Sequence, residues 1–432
     1  MTGLTFATAV GGVDGESALG GRLDKALREP ALAGARIGGL VVRASDGEAL
    51  WSRDSEAMLI PASNMKILIA LAALEIFGPS HRFTTHIMSD RRLGPDGAVG
   101  EIGVRGGGDP VTNSEDWWRL AADLRRSGLR SVQGDLVVDD SAFDGEFWHP
   151  SWSDVSARAY HAPVGALTAN YGAYFARVGP GSELGQPAKV DLDPPVDYLR
   201  LVNQAQTVDA GERTRLTVGR GAGPPDQEQV LVSGRVRLGD EATLVPRSVA
   251  DPALYAGSVL KWHLQAMGVT VAGRVRRGKA DWPVELLRFD GRPLSEIVFL
   301  LMKYSNNAMA ETLVKAMGAN SAGGVGSWQN GLPALEQALG GLGLLREGAV
   351  FVDGSGLSPD DRISASMLVA ALRRARASFR IGPELVSSLP IAGRDGTLEE
   401  RLLAGMDRIR AKTGLLVDAR VLALSGIAQR GS

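Results

Sequence analysis

The chain has 432 residues, 44% hydrophobic and 22% charged, which allows two or three packed globular domains. Its net charge of -2 argues against the broad basic surface that nucleic acid requires. It has no cysteine, so thiol nucleophiles, disulfides, zinc–thiolate sites and iron–sulfur clusters are excluded. Its five histidines form neither an HExxH pattern nor a tight cluster, so no histidine-based metal site is expected. Arginine outnumbers lysine 39 to 8, so each lysine can be inspected singly.

No run of about 18 apolar residues occurs, so no membrane-spanning helix is expected. Met1 to Gly12 has no basic segment and no long apolar core, and a signal peptide is not visible. The expectation is a cytosolic protein or a form whose leader is gone. Leu19, Leu23 and Leu27 recur at helical spacing and predict a first amphipathic helix. Gly38 to Ala44 and Glu48 to Ser52 read as strands around an Asp46-Gly47 turn. After Pro61-Ala62-Ser63-Asn64-Met65-Lys66, the run Ile67 to Leu74 has almost no polar face and predicts a helix buried on all sides. From Phe83 to Asp281 the chain is rich in Gly, Pro and Asp with short alternating runs, the pattern of strand-rich inserts. Helical character returns at Ile297 to Met302 and Ala308 to Met317. The tail reads as strands Ile409 to Leu416 and Val421 to Ala428 about a turn near Asp418. One α/β domain built from both ends, with β-rich material between, is the economical organisation.

Three short patterns carry chemistry. Ser63 and Lys66 lie one turn apart and share a face if the serine opens the buried helix. A serine there occupies the positive end of the helix dipole, and a lysine against apolar helix loses solvation and becomes a base. That activates a serine without histidine. A plain capping serine is the structural alternative, and an SxxK match is expected about 0.6 times by chance. A second match, Ser258 and Lys261, falls inside a predicted helix and reads as structural. Ser305-Asn306-Asn307 places a hydroxyl and an amide at a break between helices, or simply forms a polar cap. Lys412-Thr413-Gly414 on the tail strand joins a lysine, a hydroxyl and a residue that lets a ligand approach the backbone. Chance supplies that triplet only about 0.04 times, with an exposed strand lysine as its alternative.

In the order SxxK, SxN, KTG, this set resembles the penicillin-binding proteins and active-site serine β-lactamases. Gly106-Gly107-Gly108-Asp109-Pro110, Gly134 to Asp140, Asp353 to Ser358 and Ala392 to Leu398 extend the resemblance over nearly the full length. The type it resembles is the low-molecular-mass D-alanyl-D-alanine carboxypeptidase/endopeptidase. The resemblance implies an α/β (α+β) transpeptidase-like domain, an antiparallel sheet flanked by helices, with two nested β-rich insert domains. Expected boundaries are 1–83 and 288–432 for the catalytic domain, 84–107 and 197–287 for the first insert, and 108–196 for the second.

The resemblance also implies roles. Ser63 is the nucleophile, Lys66 its base, and Ser305 a relay toward the leaving D-alanine. Asn307 holds the substrate amide and Lys66. Lys412 supplies positive charge near the substrate carboxylate and Thr413 a hydrogen bond. Gly414 is close-packed substrate-binding backbone, and the N–H groups of Ser63 and Leu415 form the oxyanion hole. Leu415 stands where many relatives carry a second threonine, so one hydroxyl for the carboxylate is missing. Trp152, Asp154 and Tyr160 fall where relatives approach the active site. Asp154 either meets a substrate amino group or is a solvated loop carboxylate. Arg394 and Asp395 are expected to order the loop before the KTG strand, and Asp353 and Ser355 to line the site or form a turn. No metal or cofactor is implied. The implied partners are peptidoglycan stem peptides and β-lactams as covalent inhibitors, on the cell-wall side of the membrane. The competing readings are a β-lactamase or esterase on the same residues, and a non-catalytic peptidoglycan-binding protein.

Overall fold

The computed structural model describes residues 3–10, 16–152 and 154–429. The chain divides into two compact units. The first comprises Met1–His81, His149–Ser153 and Pro293–Ser432, and the second Arg82–Trp148 and Asp154–Arg292.

The first unit holds a five-stranded sheet. Its order is Ile409–Leu416, Val421–Ala428, Gly3–Val10, Arg36–Arg43 and Ala49–Arg53. The two outer pairs are antiparallel hairpins, as the turn signals predict. In the hairpin of Arg36–Arg43 and Ala49–Arg53, Glu48 N donates to Asp46 Oδ1 at 2.9 Å, the side-chain turn that suits Asp before Gly. Gly3–Val10 lies between the hairpins and runs parallel to both neighbours. Reading residues 1–12 only for leader signals misses this strand. Its Leu4-to-Val10 run of apolar residues and threonines has strand character. Ile409–Leu416 ends the sheet; among the described residues its outer rim is bridged to residues 390–392 only at residues 409–411 and is unpaired beyond that.

The helices are α1 (Glu16–Ala26), α2 (Met65–Phe77), α3 (Ser114–Arg126), α4 (Pro252–Ala266), α5 (Leu294–Tyr304), α6 (Asn307–Ala322), α7 (Trp328–Gly341), α8 (Ala365–Ala377) and α9 (Gly382–Ser388). Every residue of α2 from Met65 to Leu74 is buried. The reason is its surroundings: α2 packs against α5, α6, α7 and α8. The α8 helix also packs on the strands Gly3–Val10, Arg36–Arg43 and Val421–Ala428, tying α2 to the sheet. A 3-10 turn, Ala62–Asn64, leads into α2 and lies against the two C-terminal strands.

The second unit mixes helices α3 and α4 with four sheets. Its borders differ from the expected nested pair of inserts. Leu136–Asp139, inside 108–196, pairs with Ile102–Arg105 and Val275–Arg277, both outside it. Ala173–Gly179 likewise pairs across the expected border with Thr243–Ser248. Strands can be read from local alternation, whereas their partners lie far off in sequence. The second SxxK match is structural here: Ser258 is buried within α4, and Lys261 Nζ donates to Gly273 O at 3.0 Å.

Candidate active site

Ser63 sits in the Ala62–Asn64 turn rather than capping α2 with its side chain. Its Oγ accepts from Lys66 Nζ at 2.9 Å. The turn is held in an unfavourable backbone shape, because Ala62 has φ +47°, a left-handed value that costs a non-glycine residue about 1 kcal/mol. Two glycines keep it there. Gly356, at φ +78°, approaches so closely that an added Cβ would lie 1.9 Å from Ala62 O. A Cβ on Gly414 would meet Pro61 O at 3.0 Å and the Ala62 side chain at 3.1 Å. The Asn64 amide bridges to the tail strands, donating to Lys412 O at 2.9 Å and accepting from Ser425 Oγ at 2.8 Å.

Lys66 is fully buried. Its Nζ also donates to Asn307 Oδ1 at 2.8 Å and Ser355 O at 2.6 Å, so the three donors of an ammonium all have acceptors. Asn307 reaches this point because α5 ends on Ser305 in the left-handed region, φ +55°. Asn306 then caps α6, accepting from Met309 N at 3.0 Å. The break turns Ser305 toward the tail strand, where its Oγ accepts from Lys412 Nζ at 2.7 Å. Lys412 is fully buried and also donates to Thr413 O at 2.6 Å. Thr413 Oγ1 lies 2.9 Å from Thr397 Oγ1. Leu415 is 60% exposed on the rim strand. Beside Thr413 and Gly414 opens an apolar pocket of about 200 Å³, lined by Leu398, Leu402, Leu422 and Leu424 with Arg401 among them.

Burial pushes the Lys66 amine down from its ordinary range to about 8, against the opposing pull of Asp353, Glu311 and Asp361. Burial, and then the charge of Lys66, hold Lys412 well below its ordinary value. An amine poised near neutrality beside a hydroxyl can accept its proton. The three carboxylates form a buried cluster behind Lys66. Glu311 accepts from Ser355 N at 2.7 Å, Gly354 N at 3.0 Å and Trp328 Nε1 at 2.8 Å. Asp353 accepts from Gly356 N at 2.6 Å, Ser358 N at 2.8 Å and Trp152 Nε1 at 2.8 Å. Asp361 Oδ1 accepts from Val352 N at 2.8 Å. Burial and then Asp353 raise Glu311 to about 7 and Asp361 well above its usual range.

The structure therefore brings together Ser63, Lys66, Asn307, Ser305, Lys412, Thr413, Gly414 and Leu415, all on the first unit. Asp353 and Ser355 belong to a turn that supports Lys66 from behind. Trp152, on the short segment that joins the first unit, is bound to Asp353. Asp154 is exposed and belongs to the second unit. Asp395 orders the loop before the tail strand by accepting from Ile391 N at 2.8 Å and pairing with Lys303 Nζ at 2.7 Å. Arg394 pairs with Asp407 at 2.7 Å. Sequence reasoning misses Glu311, Asp361, Trp328 and Lys315, whose Nζ lies 3.7 Å from the Trp328 ring centre. A signal existed in Glu311 and Lys315: two charges four residues apart inside an apolar helical run that is buried from Asn307 to Gly318.

The D-Ala-D-Ala carboxypeptidase 3 (S13) family matches residues 19–432. A D-alanyl-D-alanine carboxypeptidase from Actinomadura sp. (strain R39) is 38% identical over 422 residues, covering 94% of this chain and 77% of that protein. The D-alanyl-D-alanine carboxypeptidase DacB of Haemophilus influenzae is 24% identical over 402 residues, 89% of this chain and 80% of that protein. The crystal structure of penicillin binding protein 4 from Haemophilus influenzae matches in fold with a TM-score of 0.75 at 22% identity, covering 87% of this chain and 84% of that one. A β-lactam complex of that protein matches with a TM-score of 0.69 at 23% identity.

Proposed function

The chain belongs to the D-Ala-D-Ala carboxypeptidase 3 (S13) family, and from that premise we propose that it cleaves peptidoglycan stem peptides through an acyl-enzyme on Ser63. It is a serine-type D-Ala-D-Ala carboxypeptidase, a hydrolase of the penicillin-binding class. In this reading neutral Lys66 takes the Ser63 proton as Oγ attacks the carbonyl carbon of the D-alanyl-D-alanine bond. The backbone N–H groups of Ser63 and Leu415 receive the oxyanion. Ser305, bonded to Lys412, relays the proton that Lys66 has taken to the leaving amine as the C–N bond breaks, so Lys66 is neutral again and Ser305 keeps its hydroxyl. Water then hydrolyses the ester and Ser63 regains its proton. Lys412 and Thr413 face the terminal carboxylate, while Asn307 holds Lys66 and the substrate amide. A β-lactam acylates Ser63 by the same attack. Such a substrate lies in the cell wall, so the protein works outside the cytoplasm. Among the described residues no helix is long and apolar enough to cross a membrane.

The observation that carries this reading is the 2.9 Å contact between Lys66 Nζ and Ser63 Oγ, made by an amine that burial has brought to about 8. Intact-mass measurement after benzylpenicillin, with peptide mapping, tests it. One adduct on the Ser63 peptide is expected, and none in Ser63→Ala. Labelling that persists in the variant would overturn the assignment.

A further inference from the structure

The second unit carries a cleft of about 600 Å³ between the first turn of α3 and the last turn of α4, within the size range of small-molecule sites. Two indoles line it, Trp118, which is 55% exposed, and Trp262. Trp118 stands out on a helix that buries its neighbour Trp117, while Trp262, on α4, packs against the core and is partly buried. The Glu115 and Asp193 side chains line the same cleft, and their carboxylates have no hydrogen bond or ion pair among the described residues. Arg119 also lines the cleft, its guanidinium 4.7 Å from the Phe289 ring centre. His263, only 7% exposed, lines it too, and its Nε2 has no hydrogen-bond partner among the described residues. A buried, unsatisfied nitrogen in a cleft marks the place of a missing polar partner. Asp116 and Arg292 pair with each other at 3.5 Å and add no net charge.

This chemistry selects among ligands. Two free carboxylates disfavour an anion, and the guanidinium disfavours a strongly cationic one. The lining is mainly helical, with backbone already bonded, and the edge strands Lys189–Asp193 and Val284–Pro293 contribute one residue each, Asp193 and Arg292, so the cleft offers little strand edge for a peptide to add to. A neutral, polyhydroxylated ring fits. Its C–H face stacks on an indole, and carboxylate, guanidinium and imidazole exchange directional hydrogen bonds with its hydroxyl and amide groups. We propose that the cleft is a saccharide site that holds the N-acetylated amino-sugar strand of the polymer whose stem peptides the first unit cuts. The identity of the sugar, though not the cleft's saccharide chemistry, rests on the function proposed above.

The full-length chain is titrated with a β-1,4-linked N-acetylglucosamine pentamer and followed by tryptophan fluorescence and calorimetry. Saturable binding is expected, weakened at least about ten-fold in Trp118→Ala and in Glu115→Gln. Labelling of Ser63 by fluorescent penicillin in the same samples reports the catalytic reading separately, so the two can fail independently. No saturable binding, or equal binding by both variants, overturns the proposal. So does a sugar-free stem pentapeptide whose binding is lost in Trp118→Ala.

Discussion

Replacing Glu311 with glutamine removes one of three carboxylates that help keep Lys66 protonated. Glu311 and Lys66 grip the two polar ends of one residue, at 2.7 Å to Ser355 N and 2.6 Å to Ser355 O. Their charges are thus roughly 7 Å apart, worth about 2 kcal/mol at an effective dielectric of about 20, or about 1.5 pH units. With Glu311 near 7 and Lys66 near 8, the carboxylate is mostly ionised where the amine titrates. Asp361 is released from the repulsion of Glu311 and takes up part of the lost charge. A fall of about one unit in the Lys66 midpoint is therefore expected. At pH 7 the neutral fraction of Lys66 rises from about a tenth to about a half, so acylation by a reporter penicillin accelerates about five-fold. Near pH 9.5, where both amines are neutral, the two proteins converge. Second-order acylation rates between pH 6 and 9.5 measure this directly. A midpoint that stays put or rises refutes the electrostatic argument. A uniform slowing at every pH would leave Glu311 only the role of holding the 354–355 turn.

Three further outcomes follow from the packing. Gly356→Ala places a methyl group against Ala62 O at a left-handed φ, so it should cost at least about 2 kcal/mol and slow penicillin labelling; normal labelling speaks against the clamp. Asp395→Ala leaves the buried Lys303 amine with Leu389 O as its remaining hydrogen-bond acceptor, and urea unfolding should report a loss of about 3 kcal/mol; an unmoved midpoint contradicts this. Burial raises Asp109 to about 6, above its ordinary 3.8. A carboxyl raised in the fold destabilises once ionised, so its penalty grows between pH 4 and 6 and is constant above, reaching about 3 kcal/mol. Asp109→Asn should remove that slope from thermal unfolding measured between pH 4 and 7.5, and an unchanged slope would exclude Asp109 as its source.

Much of the first unit is legible locally. The tail strands carry alternation and a turn, and α2 carries an unbroken apolar run that requires burial on every side. Ser63, Lys66, Ser305, Asn307 and Lys412 stand out because they interrupt those patterns with reactive groups. What is not legible depends on partners distant in sequence. The carboxylate cluster joins α6 to residues 353–361, and each member alone resembles an ordinary polar residue. The Gly3–Val10 strand has strand character in its own residues, but its place between the two hairpins depends on partners distant in sequence. In the second unit each strand is legible by its own alternation, but strand pairing joins segments more than a hundred residues apart, such as Leu136–Asp139 with Val275–Arg277, which no local pattern encodes.

The rim position of Ile409–Leu416 has a consequence for recognition. A bound peptide that lies along the unpaired part of this rim, beyond Ala411, is held by main-chain amides and carbonyls, which every residue supplies alike. Such a template is nearly blind to side-chain identity and strict about backbone path. Exchanging Leu415 for threonine alters what projects from the rim but leaves its row of donors and acceptors as it was. Away from Lys412 and Thr413, drift in the side chains that project from this rim therefore tunes affinity, whereas a proline that deletes one amide would strike at binding itself.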